Sequence, residues 1–218
     1  MDKLTASRIN GGNTAYQRNS QDFYPTPPDA TQALIDFLKI PRGRTIWEPA
    51  VGKGDLANVL RANWYFVIGT DIQTGTDFLT CDVVPCDWII TNPPFSLAEQ
   101  FIRKCIEVKK PFALLLKSQY WHAKSRLSLF REHPPRYVLP LTWRPDFLFK
   151  TRGKGSPLMD VMWVVWDERP AAHTEYFPLE RPVIKYPNQE VRQCSMINKS
   201  AFPQRAPDLG PGRFSSAP

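Results

Sequence analysis

The chain has 218 residues, a formal net charge of +7, 42% hydrophobic and 12% aromatic residues. That composition excludes a disordered polyelectrolyte and suits one α/β domain with a full core, or a domain with a small appendage. No apolar run is long enough to span a bilayer, no signal-peptide pattern opens the chain, and Cys81, Cys86, Cys105 and Cys194 show no metal-ligand spacing. The expectation is a cytoplasmic protein with reduced thiols, no membrane contact and no metal.

Residues 1–20 are polar, rich in Gly and Asn and aperiodic, and are expected to form a disordered arm. The domain is expected over 21–167. A helix is predicted over Pro28–Lys39, where Thr26-Pro27-Pro28 starts an apolar stripe of Ala30, Ala33, Leu34, Phe37 and Leu38. A buried strand follows over Thr45–Val51 and runs into a turn at Gly52 and Gly54. Leu56, Val59 and Leu60 restore helical spacing, and Tyr65–Ile72 reads as a second strand. Asp87–Thr91 is the next strand. Ser96 and Glu99 have the spacing of a capping box for a helix with Leu97, Phe101, Cys105 and Val108 facing inward. Pro111–Ser118 is a buried strand, followed by a helix near Lys124–Arg131, a strand near Tyr137–Leu141 and a last strand over Val161–Trp166. This alternation predicts a doubly wound, mostly parallel sheet with helices on both faces. Residues 168–197, with frequent prolines, are expected as an extended wrap, and 198–218 as a disordered tail.

Chemistry-bearing residues collect at the strand ends, where ligands bind in α/β sheets. Glycines after the first strand, in Glu48–Gly54, allow close approach to the backbone, although any tight strand-to-helix turn needs them too. The pattern is neither a dinucleotide fingerprint nor a phosphate loop. Asp71, at the end of the second strand, can accept from ribose hydroxyls or can equally cap a turn. Asp77-Phe78 offers an acceptor and a ring for adenine, or a surface turn. Thr91–Phe95 reads TNPPF. Two adjacent prolines cannot extend a sheet ladder. They stiffen the backbone between Asn92 and Phe95, which suits a rigid site as well as a plain turn.

The charge is uneven. Between Pro111 and Gly155, nine cations (Lys117, Lys124, Arg126, Arg131, Arg136, Arg144, Lys150, Arg152 and Lys154) face only Glu132 and Asp146, with Trp121, Tyr137, Trp143 and Phe147 interleaved. Such a segment suits a phosphate backbone and an unstacked base, or a solvated face.

In order, the chain carries YPTPPDATQALIDFL, WEPAVGKG, GTDI, TDFL, IITNPPF, ALLLKSQYW, WRPDF and MDVMWVVWD. This series resembles S-adenosylmethionine-dependent N6-adenine DNA methyltransferases of the compact kind found in bacteriophages and prophages, over roughly Phe23–Asp167. The resemblance implies a class I, Rossmann-like methyltransferase domain using S-adenosylmethionine as cofactor, in a bacterial host cell if phage-encoded. It implies that Thr26 helps hold the methionine carboxylate, with Tyr24 and Pro27 lining the site. Glu48, Gly52 and Gly54 would form the cofactor loop, Asp71 with Ile72 beside it the ribose site, and Asp77 with Phe78 the adenine site. Asn92, Pro93, Pro94 and Phe95 would form the catalytic motif. Lys117, Trp121, Arg126, Trp143, Phe147, Lys150, Arg152 and Lys154, within the 120–155 segment and its approach, would meet double-stranded DNA. Trp143 or Phe147 would supply the second wall of a base pocket, although both are more often core residues. The family often carries a separate target-recognition domain. None of that size is evident here, so recognition is short and relaxed or a partner or second copy supplies it. Related motifs also occur in enzymes acting on RNA bases or protein glutamine, and a non-catalytic nucleic-acid-binding protein of this fold is a further alternative.

Overall fold

The computed structural model describes residues 24–147, 159–167 and 173–183. The expected terminal arm and tail, and Lys150, Arg152 and Lys154, lie outside these residues.

Seven strands form one sheet: β1 (Thr45–Glu48), β2 (Phe66–Gly69), β3 (Trp88–Thr91), β4 (Phe112–Lys117), β5 (Tyr137–Pro140), β6 (Val161–Trp166) and β7 (Glu175–Tyr176). Their order is β2-β1-β3-β4-β6-β5-β7. β2, β1, β3 and β4 pair in parallel, while β6 inserts antiparallel between β4 and β5. The chain leaves β1 to one side for β2 and returns to its other side for β3. The crevice of this doubly wound sheet therefore opens between the C-terminal ends of β1 and β3.

Strand side chains alternate between two cores, as a period of two requires. Ile46, Ile90, Ala113, Leu115, Trp163 and Val165 meet one core, which holds α1 (Pro28–Leu38) and α2 (Asp55–Ala62). Trp47, Ile89, Phe112, Leu114, Leu116, Val164 and Trp166 meet the other, which holds α3 (Ala98–Val108) and α4 (Leu127–Glu132). Helices on both faces explain why β4 and β6 are buried along nearly their whole length. Among the described residues, no helix is long and apolar enough to cross a membrane.

Local boundaries differ from the sequence-based expectation for identifiable reasons. β1 stops at Glu48 because Pro49 has no N–H to donate. β2 stops at Gly69, and Ile72 opens a short 3-10 turn, Ile72–Thr74, capped by Asp71. The helix expected to open at Ser96 starts later. Pro94 leads into a 3-10 turn over Phe95–Leu97, so α3 starts at Ala98 without a side-chain cap, and Glu99 pairs with Arg103 at 2.9 Å. Within the region expected as an extended wrap, β7 adds a parallel edge strand to β5.

Candidate active site

One pocket occupies the crevice between β1 and β3. Its walls come from three strand ends and from the chain entering α1: Tyr24 and Thr26, the loop Glu48–Lys53, Asp71 with Ile72, Asp77, and Asn92–Pro94. Residues separated widely in sequence meet here because every parallel strand delivers its C-terminal end to the same edge.

Asn92 sits just past β3. Its Nδ2 donates to the Tyr24 carbonyl at 2.8 Å and to Thr26 Oγ1 at 3.1 Å. Two acceptors on one side of the amide define its orientation. Oδ1 takes no hydrogen bond among the described residues, and Asn92 lines the pocket. Thr26 is buried and so acts on Asn92 from beneath the surface.

Asp71 closes the Gly loop. Oδ2 accepts from the Gly52 amide at 2.8 Å and Oδ1 from the Gln73 amide at 2.9 Å. Each of these oxygens has more than one lone pair, so the two bonds orient the Asp71 side chain without saturating it. Turn-capping and ligand-accepting roles, alternatives in the sequence, are compatible in the structure. Gly52 has φ 51° and Gly54 φ 84°, left-handed values that an L side chain resists. Asp77 uses Oδ1 to accept from the Leu79 amide at 3.0 Å.

Glu48 is 2% exposed and its Oε2 has no partner among the described residues. Burial pushes its carboxyl up to about 9, with the Asp55 and Asp71 carboxylates adding to the rise, while the Arg61 guanidinium and the Ala57 amide oppose it. An unpartnered buried carboxyl oxygen on a pocket wall is costly unless a ligand completes it.

The other expected site residues divide sharply. Phe78 lines the pocket but is 2% exposed, with its ring 5.0 Å from Trp47 and 4.8 Å from Phe101. Its ring belongs to the core beneath the pocket and also forms part of the pocket wall. Pro27 and Gly54 lie outside the pocket lining, where Pro27 precedes α1 and Gly54 precedes α2. Phe95 also lies outside it, 5.6 Å from the Tyr24 ring, with Lys117 Nζ 4.5 Å over its ring.

Of the residues expected to contact DNA, the described ones are half-buried except Phe147, which is buried. Trp121 donates to Met162 Sδ at 3.0 Å and packs 4.4 Å from Phe130. Arg126 donates to the Tyr120 carbonyl at 2.6 Å and lies 4.0 Å over the Tyr120 ring. Trp143 donates to Asp29 Oδ2 at 3.0 Å, and Phe147 is buried 6.1 Å from Tyr24. The apolar parts of these side chains find the cores, and their polar atoms find internal partners.

Leu97 and Phe101 also line the pocket. Their helical spacing was visible in sequence, but only as an inward face. The bond between Thr26 and Asn92 had no sequence signal. Among the described residues, no group of three His, Cys, Asp or Glu side chains is placed to hold a metal ion.

No protein-family model and no curated protein matches the chain. Solved structures do. A protein from Listeria monocytogenes assigned as a class I S-adenosylmethionine-dependent methyltransferase aligns with TM-score 0.50 and 15% identity, over 81% of this chain and 71% of that one. The fold is that of a class I S-adenosylmethionine-dependent methyltransferase. A modification subunit assigned to a type I restriction enzyme of Vibrio vulnificus aligns with TM-score 0.52 and 11% identity, over 84% of this chain. The present chain spans 52% of the length of that subunit.

Proposed function

We propose that the chain transfers a methyl group from S-adenosylmethionine to the exocyclic N6 of adenine in DNA. The orientation of Asn92 carries this reading.

The exocyclic nitrogen of adenine is a poor nucleophile because its lone pair is delocalised into the ring. Asn92 Oδ1 and the Pro93 carbonyl are two acceptors suited to its two hydrogens. Bonding both favours a pyramidal nitrogen and stabilises the positive charge that develops there. Because Tyr24 and Thr26 already hold Nδ2, Oδ1 need not reorient during the reaction. Asn92 is neutral and acts as an acceptor, not as a general base. The target amino group is hidden in a duplex, so the base must flip out, and Phe95 offers a ring for it beside Asn92.

The pocket chemistry fits the cofactor. S-adenosylmethionine carries an ammonium, a ribose diol and an adenine amino group, all donors, and supplies an activated methyl group when bound. The pocket offers Asp71 and Asp77 as acceptors, and a buried Glu48 carboxyl with an unpartnered oxygen. Asp71 would hold the ribose hydroxyls and Asp77 the adenine amino group, with Ile72, Leu97 and Phe101 as the apolar walls. DNA as the substrate agrees with the excess of cations and with a restriction-enzyme modification subunit among the similar folds.

The test is methyl transfer by the full chain from labelled S-adenosylmethionine, offered adenine-containing DNA, RNA of the same sequence and protein in parallel. Digestion and mass analysis should find N6-methyladenine from DNA. Label confined to RNA, to protein glutamine or to another base contradicts the proposal.

A further inference from the structure

β2 is the outer strand of the sheet among the described residues, and its start carries an arrangement that the pocket does not use. The loop 41–44 lies beside residues 64–66. The Gly43 amide donates to the Trp64 carbonyl at 2.8 Å, and the Phe66 amide to the Arg44 carbonyl at 3.0 Å. Arg42, Arg44, Trp64 and Phe66 are all exposed, Trp64 by 70% and Phe66 by 68%. Trp64 also has φ 69°, a left-handed conformation in which a bulky side chain is strained. Its amide donates to the Arg61 carbonyl at 3.0 Å, so the backbone is held from both sides. Backbone strain and an exposed indole fall on one residue. Among the described residues no ring contact or side-chain hydrogen bond of Trp64 offsets them.

The cations beside it are short of counter-charges. Arg42 has no hydrogen bond or ion pair among the described residues. Arg61 hydrogen-bonds only neutral groups, Asn58 Oδ1 at 3.3 Å and the Val67 carbonyl at 3.5 Å, while its charge also acts on the buried Glu48 carboxyl. Arg44 pairs with Asp87 at 3.1 Å on the surface.

We infer that this edge binds single-stranded nucleic acid, with Trp64 and Phe66 stacking on unpaired bases and Arg42 and Arg61 meeting phosphates. Aromatic faces beside guanidinium groups are the means by which unpaired strands are held without sequence preference. The site is separate from the pocket: it lies at the N-terminal ends of β1 and β2, about 13 Å of strand away from the C-terminal crevice. A second copy is a poor occupant, because two-fold pairing would set guanidinium groups against guanidinium groups. The chain's own remaining segments are cationic too. Residues 1–23 hold three basic and two acidic residues, 148–158 three basic and no acidic, and 184–218 five basic and two acidic. A polyanion with flat unpaired faces fits the patch, and the inference stands apart from the methyl-transfer reading.

Fluorescence anisotropy of the full chain with a labelled oligothymidine of about 20 nucleotides tests it, across a range of salt. Trp64→Gly removes the ring and relieves the left-handed strain, so the melting temperature should hold or rise while affinity falls about 5- to 100-fold. A purely structural Trp64 would give the opposite pair of changes. Arg42→Ala should lower the slope of log affinity against log salt by about 0.7, with S-adenosylmethionine binding unchanged. Oligonucleotides carrying 5-iododeoxyuridine should crosslink to Trp64 or Phe66. Unchanged affinity and salt slope in both variants overturn the inference. So does loss of a dimer, by sedimentation, with oligonucleotide binding intact, which would make the edge a protein interface.

Discussion

The strand ends around the pocket and the segment after β4 were both rich in candidate residues, yet the structure uses them differently. At the ends of β1, β2 and β3, buried or half-buried polar side chains keep bonding capacity in reserve: Glu48 Oε2 is unpartnered, Asn92 Oδ1 takes no hydrogen bond among the described residues, and Asp71 spends one bond per oxygen. After β4, Trp121, Arg126 and Trp143 direct polar atoms to Met162, Tyr120 and Asp29. Buried polar groups are ordinarily satisfied, so unpartnered oxygens that border the pocket mark where a ligand fits, whereas the buried Tyr120 hydroxyl, also unpartnered, lies outside the pocket lining. Residue type alone does not separate the two.

The largest effect should come from Asn92→Ala. Removing a preorganised acceptor at the reacting nitrogen is expected to lower single-turnover methyl transfer by about 10²- to 10³-fold. DNA and cofactor affinities, measured separately, should stay near the wild-type values.

Glu48 sharpens the same contrast through pH. Its folded-state carboxyl, pushed up to about 9, lies above the ordinary value of 4.5, so the native state holds the proton more tightly. That contribution to stability is full below pH 4.5 and is lost as pH rises through about 9. Ligand-free Glu48→Gln, neutral throughout, should flatten that decline by on the order of a few kcal/mol. Denaturant titrations of both proteins between these limits measure it, and identical pH profiles would remove Glu48 as its source.

Asp71→Ala should lower cofactor affinity about 10- to 100-fold by calorimetry, through the lost acceptor and the freed Gly52 amide. Unaltered affinity would make Asp71 a turn residue only.

The smallest effect concerns the other region. Arg126→Ala should cost about 1 kcal/mol of stability through lost contact with Tyr120. It should leave the salt dependence of DNA binding unchanged. Neutralising Lys150, Arg152 and Lys154 together should instead reduce that slope by about 2.7. A lower slope in the Arg126 variant would return that guanidinium to the DNA-contact set.

The contrast also shows what was legible in the sequence. Strands such as Val161–Trp166 and helices such as Pro28–Leu38 were readable because their apolar spacing is local. The antiparallel insertion of β6 between β4 and β5 was not, since pairing partners far apart in the chain decide it. Proline also overrode a local signal when Pro94 set a 3-10 turn ahead of the Ser96–Glu99 spacing. In the pocket, Glu48, Asp71, Asp77 and Asn92 were readable from their order at strand ends. The contacts that orient Asn92 span 66 and 68 residues, so no neighbouring pattern could announce them. For Phe147 the residue type was compatible with a site, but its ring is buried in a core, while Phe78 joins both a core and the pocket wall.

The central claim is that Thr26 works through Asn92, holding its amide so that Oδ1 faces the reacting nitrogen. Single-turnover methylation of adenine-containing DNA by four proteins tests this: wild type, Thr26→Val, Asn92→Ala and the double variant. Thr26→Val alone should slow transfer about 10-fold, the value of one orienting hydrogen bond. In the Asn92→Ala background the same change should have little further effect, because the group it orients is gone. Wild-type rates for Asn92→Ala, or a full additional 10-fold loss in the double variant, would contradict the account.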